Sequence, residues 1–185
     1  MTKKVFCRAK CTGTAVVILA AVLLVSCGKA KLDIVEVGMN SLTFSMEAHV
    51  THSTDMTQEK SFTGSVSLPE DITDFSDNYS KYIRSVLEVK VSSVKVKAEE
   101  EIGVTDTQIQ FDSLQKGWTI GQYRFGEEDY TCDDEALAVF EDVLKEVFAG
   151  KSVPVTMNGK TDAATGSRIT LTFTIDGLFT TSFWQ

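Results

Sequence analysis

Histidine and proline are scarce in this chain of 185 residues, which contains two of each. The histidines, His49 and His52, lie three residues apart within or just after a predicted strand. An odd separation directs two side chains to opposite faces of a regular strand, and a zinc site needs three or four ligands. We therefore predict surface histidines and no metal site. These two residues are also the only imidazoles that a catalytic site could use.

The sequence motifs of familiar enzyme classes are absent. The segment from Gly64 to Leu68, GSVSL, lacks the second glycine of a nucleophile elbow and lies within a strand pattern. No phosphate-binding glycine loop, dinucleotide fingerprint or zinc signature is present. In so acidic a chain, sequence spacing does not single out one carboxylate pair for glycoside hydrolysis. We therefore predict no catalytic residues and no cofactor.

An acidic segment from Glu127 to Glu135 offers the carboxylate oxygens that calcium prefers. It lacks the D-x-D-x-D-G order, in which the glycine makes the sharp turn of a calcium-binding loop. Solvated carboxylates are therefore the favoured interpretation of this segment.

Long hydrophobic runs are also lacking. The apolar run near the start, residues 15–25, has eleven residues, whereas a helix that spans a bilayer needs about 20. Four cations and no acidic residue precede it, namely Lys3, Lys4, Arg8 and Lys10. This order is typical of a secretory signal. A buried first helix or strand is the alternative.

The end of that run, Leu24-Val25-Ser26-Cys27, resembles the lipobox of bacterial lipoproteins, and Gly28 follows it. The resemblance covers only the first 28 residues. It implies that a signal peptide, residues 1–26, is cut before Cys27, and that Cys27 carries a diacylglyceryl group on its sulfur and an acyl chain on its new amino terminus. Several acyl chains on one residue give stable membrane anchoring without a transmembrane helix.

The resemblance also implies an address in the cell envelope. Gly28 stands where many lipoproteins retained in the inner membrane carry aspartate. The implied location is therefore the outer membrane, with the domain facing the periplasm. Exposure at the cell surface is the alternative.

The mature chain would have the size of one ordinary domain, because removing 26 of the 185 residues leaves 159. We expect residues 27–31 to form a lipidated tether and residues 32–185 to form a single β-rich domain. Four cations leave with the signal peptide, so the formal charge changes from −8 to −12. An acidic surface repels phosphate backbones, and nucleic acid is therefore not an expected partner. The expected partner is the membrane, through the lipid on Cys27.

One free thiol, Cys132, would remain in the mature domain, so no intramolecular disulfide can form. Cys7 and Cys11 leave with the signal peptide, and Cys27 becomes a thioether. We interpret Cys132 as a small buried residue at the start of a helix. A thiol activated by the amino end of that helix is the alternative, and it is disfavoured because the neighbouring acidic residues raise the pKa of a thiol.

Apolar and polar residues alternate over most of the mature chain, which is the signature of strands with one buried face. The predicted strands lie near residues 32–37, 42–50, 62–68, 89–98, 109–111, 118–125, 153–157 and 169–175. The apolar positions change parity at Ser92-Ser93, which predicts a bulge there. Asp176-Gly177 fits either a two-residue hairpin turn or a bulge within one long final strand.

Residues 133–149 instead place apolar side chains at helical spacing. Asp133 or Thr131 can cap the start of this helix, and Gly150 follows its last turn. Similar spacing predicts a second, shorter helix over about residues 73–86. The expected fold is mainly β (α+β), an antiparallel β-sandwich or barrel with helices packed on an edge or end.

Trp118, Tyr123 and Trp184 are the candidate ligand-binding residues, because aromatic rings stack on sugars or line apolar pockets. The alternative is that these rings fill the core. Trp118 and Tyr123 are five residues apart, so in one regular strand only one of them points inward.

These observations favour an envelope lipoprotein whose β-rich domain binds a small apolar or glycan ligand or an envelope protein partner. The alternative is a structural, assembly or adhesion subunit that pairs through strand edges, with residues 178–184 as the candidate edge. An enzyme, a hydrolase without a recognisable motif, is the third hypothesis. The first hypothesis needs a cavity or an exposed groove, and the second needs an unpaired strand.

Overall fold

The computed structural model describes residues 18–21, 32–52, 60–68, 86–126 and 128–184. Its strands, in chain order, are β1 (Ile18–Ala21), β2 (Leu32–His52), β3 (Lys60–Leu68), β4 (Val86–Ala98), β5 (Ile102–Phe111), β6 (Lys116–Ile120), β7 (Tyr123–Phe125), β8 (Tyr130–Thr131), β9 (Val153–Thr161) and β10 (Arg168–Trp184). A short 3-10 helix (Asp112–Leu114) connects β5 to β6, and the helix α1 (Asp134–Phe148) lies between β8 and β9.

All ten strands belong to one antiparallel sheet with the order β6-β5-β9-β3-β2-β10-β4-β8, while β1 pairs with β2 and β7 pairs with β5. The sheet curls into a half-barrel. Helix α1 contacts β6 near one end of the order and β4 near the other, so the helix lies within the curl. The predicted class, mainly β with a helix over about residues 133–149, is confirmed.

Strands β2 and β10 form the centre of the sheet and pair along almost their whole length, from Trp184 opposite Leu32 to Arg168 opposite His49. The predicted alternation is clear in β2, where the buried side chains alternate with more exposed ones. These buried residues are Leu42, Phe44, Met46, Ala48 and Val50.

The strands β2, β4 and β10 share an irregularity at one level of the sheet. The register of β10 shifts at Asp176 against both neighbours, and on β4 the shift leaves Ser92 without a partner. Val91 and Val94 are both buried, so the predicted change of face at Ser92-Ser93 is confirmed. Asp176-Gly177 is a bulge within one continuous strand, which excludes the hairpin alternative.

Strand β10 is not a free edge. Leu178 pairs with Gly38 of β2 on one side and with Lys90 of β4 on the other, and this double pairing continues to Thr181. The prediction of an unpaired edge over residues 178–184 is therefore wrong for residues 178–181. On β2, residues 42–47 pair with β10 but with neither β1 nor β3, so they have an open side within the described strands.

The predicted strand from Trp118 to Phe125 is two strands. Strand β6 ends at Ile120 and β7 begins at Tyr123. The two strands pair with different parts of β5. The argument from parity therefore does not apply to Trp118 and Tyr123.

Helix α1 matches its prediction closely. Asp133 is the N-cap, and its Oδ1 accepts a hydrogen bond of 3.0 Å from the backbone N–H of Ala136. Gly150 follows the helix with φ of 77°, the left-handed conformation that glycine adopts without strain. The apolar face of α1 is buried, and these residues are Ala136, Val139, Phe140, Val143, Leu144, Val147 and Phe148.

An aromatic cluster fills the space between α1 and the sheet. The ring of Phe140 lies 5.0 Å from Trp118, 5.6 Å from Phe111 and 6.3 Å from both Phe44 and Phe173. Aromatic pairs at such separations contribute packing energy beyond the area that they bury. The concave face of the sheet is thus occupied by the helix and its aromatic neighbours.

Several predicted features lie outside the described residues. These are the lipobox with Cys27, the tether over residues 27–31, and the predicted helix over residues 73–86 except Val86, which begins β4. Within the predicted signal peptide, Ile18–Ala21 forms β1 and pairs with Ile34–Val37 of β2. No helix among the described ranges is long and apolar enough to cross a membrane.

Candidate functional site

One end of the sheet carries a row of five residues that are paired from strand to strand. His52 of β2 pairs with Lys60 of β3, Lys60 with Thr161 of β9, Thr161 with Val104 of β5, and Val104 with Tyr123 of β7. Directly paired residues in antiparallel strands lie side by side on one face of the sheet. The row therefore brings together parts of the chain that are far apart in sequence.

An open cleft of about 670 Å³ lies along this row, and we call it the basic cleft. Its charged side chains are Lys60, Arg124, Lys160 and Asp162, so three cations face one carboxylate. Other polar side chains in its lining are Thr105, Gln122, Tyr123 and Thr161. The volume is within the usual range for small-ligand sites.

Asp162 organises the basic cleft. Its Oδ1 accepts a hydrogen bond of 2.8 Å from the backbone N–H of Gly103, and its Oδ2 accepts one from the guanidinium of Arg124. The Gly103 hydrogen bond, with the Arg124 contact, holds the pKa of the Asp162 carboxyl below its usual value. Lys60 Nζ donates to the backbone carbonyl of Asp162 at 3.3 Å. One aspartate thus fixes the positions of two cations.

A second open cleft, of about 720 Å³, lies on the other side of β7, and we call it the acidic cleft. Its lining contains four carboxylates and two cations, namely Glu99, Glu100, Glu101, Glu128, Lys97 and Arg124. Arg124 belongs to both clefts, since its Nη1 lies 3.8 Å from Glu101 Oε1. Strand β7 therefore separates a region of net positive charge from one of net negative charge.

Tyr123 lines both clefts and is half-buried. Its hydroxyl donates to the backbone carbonyl of Glu128 at 3.2 Å. Its ring makes edge-on contacts with Phe125 and Tyr130, with centroids 4.9 Å and 5.0 Å away. Of the three aromatic residues named from the sequence, Tyr123 is the one that the structure places at these clefts.

Trp118 lies in the core instead. Its side chain is 8% exposed and packs against Phe111, Phe140 and Phe173. Its Nε1 has no hydrogen-bond partner among the described residues. Trp184 ends β10 opposite Leu32, and its side chain lies outside the described part of the chain. The structure does not bring the three candidates together.

The charged residues of the basic cleft were missed by sequence reasoning. Lys60 and Asp162 are 102 residues apart, and Arg124 and Asp162 are 38 apart. Each of these three charged residues lies at or near the end of a strand, where polar side chains are common. No local motif marks them, and only the strand order brings them together.

The other sequence candidates do not converge on a reactive site. His49 and His52 are exposed at the end of β2, and His52 Nε2 lies 3.3 Å from Thr165 Oγ1. Among the described residues, no group of three or more His, Cys, Asp or Glu side chains is placed to hold a metal ion.

Cys132 is buried at the start of α1, as the favoured interpretation expects. Burial, with a smaller effect of the Asp133 carboxylate, raises the pKa of the Cys132 thiol to about 12. A thiol with this pKa is almost fully protonated at neutral pH, and the thiolate is the reactive form. The activated-thiol alternative is therefore not supported.

The basic cleft lies at the end of β2 that is opposite to Leu32. Strand β2 begins at Leu32, which directly follows the predicted tether, and ends at His52, which belongs to the row along the basic cleft. At about 3.3 Å per residue, twenty steps of a strand span at most about 65 Å. A chain fastened just before Leu32 would therefore present the clefts away from its point of attachment.

Comparisons of this chain with protein-family models, with curated proteins and with solved structures give no match.

Proposed function

We propose that this protein is a lipid-anchored protein of the cell envelope that binds a glycan at the clefts beside β7. The observation that carries the proposal is the position of Tyr123, a partly exposed aromatic ring between two polar clefts. Sugar-binding sites combine an aromatic surface with side chains that hydrogen-bond to hydroxyl groups. Gln122 and Thr105 supply such groups in the basic cleft.

A small apolar ligand is less well supported than a glycan. The concave face of the sheet, where a half-barrel would enclose such a ligand, is filled by α1 and the cluster around Phe140. The clefts beside β7 are open and lined by charged and polar side chains. Such a lining hydrogen-bonds a polar ligand, whereas an apolar ligand would leave the charged groups of the lining without partners.

The anchoring part of the proposal rests on the lipobox resemblance of Leu24-Val25-Ser26-Cys27. Lipid on Cys27 would hold the domain at the outer membrane, with the clefts at the end of β2 remote from the bilayer. The proposed orientation has the domain facing the periplasm, and the alternative has it exposed at the cell surface.

Metabolic labelling with an alkyne fatty acid in the native host tests the anchor. Wild type should take up label and run at the size of the cut form. Cys27→Ser should lose the label and leave the precursor uncut. Cys132→Ser is the matched control, and it should remain labelled. An intact Met1 together with a free thiol on Cys27, found by mass spectrometry, would contradict the anchor.

A glycan array probed with the full-length protein in detergent tests the binding. We expect binding that is lost in Tyr123→Ala, because the ring is removed, and retained in Tyr123→Phe, which keeps the ring but not the hydrogen bond to Glu128. Loss of binding in both variants would assign the effect to the hydroxyl instead of to stacking. No bound glycan on the array would count against the proposal.

A second candidate function, an assembly subunit that adds a strand from a partner, is favoured by the edge of β2. Residues 42–47 pair with β10 but with no described strand on their other side, and such an edge is a template for strand addition. Sizing of the purified full-length protein would distinguish the candidates, since an assembly subunit forms oligomers and a glycan-binding monomer does not.

A further inference from the structure

We infer that the glycan is acidic, with its carboxylate groups bound in the basic cleft by Lys60 and Arg124. This inference rests on the proposed glycan-binding function and specifies its ligand class. The chain as a whole carries a formal charge of −8. The lining of the basic cleft has the opposite sign, because three cations face one carboxylate. A site whose charge opposes that of its protein selects ligands by charge.

Lys60 supplies positive charge that no described carboxylate neutralises. Its Nζ donates to the backbone carbonyl of Asp162, and no described acidic side chain forms an ion pair with it. The residue is half-buried at the start of β3, where the strand pairing with Thr161 holds its backbone. An ammonium group held in a partly desolvated cleft attracts an anion more strongly than one in bulk water.

Arg124 is oriented for the same ligand. Asp162 and Glu101 bind different nitrogens of its guanidinium, Nη2 and Nη1. A guanidinium has five N–H donors in a fixed fork, so one that already binds two carboxylates retains donors for a third. The hydrogen bond from Gly103 fixes Asp162, and Asp162 in turn fixes Arg124. Asp162 is thus a positioning residue.

The acidic cleft provides an internal contrast. It shares Tyr123 and Arg124 with the basic cleft, but its lining has four carboxylates against two cations. An acidic sugar is repelled from that side of β7 and attracted to the other. The sign of the charge therefore determines which of the two clefts the ligand enters.

Calorimetry of the full-length protein in detergent tests this inference with three probes. These are an oligogalacturonate, the neutral galactose oligomer of the same length, and inorganic phosphate. At low salt the acidic oligomer should bind about tenfold more tightly than the neutral one, and the preference should shrink as added salt screens the charges. Phosphate should compete only weakly, because it lacks the sugar ring that Tyr123 binds.

Charge reversal identifies the residue responsible. Lys60→Glu should weaken binding of the acidic oligomer by about tenfold or more and leave the neutral oligomer within about twofold. The matched control is Lys90→Glu, an exposed lysine of β4 that lies outside both clefts, and its affinities should match those of wild type. Thermal unfolding of both variants would show that they remain folded.

The outcomes separate the inference from the function on which it rests. Equal affinity for the acidic and the neutral oligomer would overturn the acidic ligand and leave glycan binding intact. If neither oligomer binds, the result would count against both the acidic ligand and the proposed glycan-binding function. Phosphate binding as tight as that of the acidic oligomer would replace the acidic glycan with a general anion site. An unchanged affinity in Lys60→Glu would place the acidic group elsewhere.

Discussion

Ser41 donates its backbone N–H to Oδ1 of Asp176 at 2.8 Å, although 135 residues of chain separate the two. The other carboxylate oxygen, Oδ2, accepts a hydrogen bond of 3.1 Å from Ser93 Oγ. One side chain at the bulge of β10 therefore contacts both neighbouring strands at the level where each is irregular. Ser41 has φ of 54°, a conformation that is costly for a residue with a side chain. The hydrogen bond to Asp176 helps to maintain it.

Asp176→Ala should lower the free energy of unfolding by about 2 kcal/mol, because it removes two hydrogen bonds to a charged acceptor. Asp176→Asn should lower the free energy of unfolding by less, since the amide oxygen can still accept the hydrogen bond from Ser41. Urea denaturation measures both. Glu100→Ala, an exposed acid, is the control and should change stability by at most about 0.5 kcal/mol. Equal stability of Asp176→Ala and wild type would show that the bulge forms without this side chain.

Cys132 should be almost unreactive in the folded protein. The pKa of about 12 leaves little thiolate at pH 8. In a variant whose other three cysteines are serine, labelling by a disulfide reagent should be slow in buffer and fast in urea. Rapid labelling in buffer would mean that the start of α1 opens readily.

The same raised pKa predicts a loss of stability at alkaline pH. The unfolded thiol ionises near 9.0 and the folded one near 12, so between these values the unfolded state binds fewer protons. Stability from this group is fully present below pH 9 and is lost as the pH rises towards 12. Cys132→Ala should show a shallower decline than the parent from pH 8 to pH 10.5, measured by urea denaturation. Parallel profiles would contradict the assigned pKa.

Asp142 of α1 forms an ion pair with Lys116 of β6 and accepts a second contact of 3.4 Å from Lys145. The hydrogen bond from Lys116, aided by Lys145, holds the pKa of Asp142 below its ordinary value of 3.8. The pair therefore stabilises the fold above pH 3.8, and this stabilisation is lost as the pH falls through the folded pKa.

Asp142→Asn should cost about 0.5 kcal/mol at pH 7, because partly exposed ion pairs contribute little. The difference from wild type should vanish in acid and shrink in high salt. Unfolding curves at pH 7 and pH 2.5 measure the effect, with Asp129→Asn, an exposed acid, as the control. A difference that persists in acid would indicate lost packing and not lost charge.

Thr107 is fully buried, and its hydroxyl has no hydrogen-bond partner among the described residues. A buried polar group without a partner destabilises the folded state. Thr107→Val, which keeps the shape, should raise the free energy of unfolding by about 1 kcal/mol. Thr107→Ala should not, because it leaves a cavity. Destabilisation by Thr107→Val would reveal a partner for the hydroxyl, such as a bound water.

Local features of this fold could be predicted from the sequence. The signals that predict helix α1 are all local, since the apolar spacing, the Asp133 cap and Gly150 lie within eighteen residues. The change of face on β4 is equally local, because the valines change parity at Ser92-Ser93. Each of these predictions needed only neighbours along the chain.

The order of the strands could not be predicted, and the basic cleft depends on that order. Lys60 meets Asp162 because β3 lies beside β9, and Arg124 meets Asp162 because β9 and β7 both pair with β5. The alternating pattern of a strand indicates which of its faces is buried, but it does not predict which other strand pairs with it. Tyr123 was named from its chemistry, whereas its charged neighbours required the fold.

The central position of β10 has a consequence for biosynthesis. Strand β10 follows all the other described strands in chain order, and it is the one that joins β2 to β4. Until it arrives, β2 and β4, two long strands made earlier, expose their backbone groups and their apolar faces. The nascent domain must therefore be shielded until β10 has been made, and a chain that stops before Gly177 would leave much of β2 and β4 unpaired and open to proteases or chaperones.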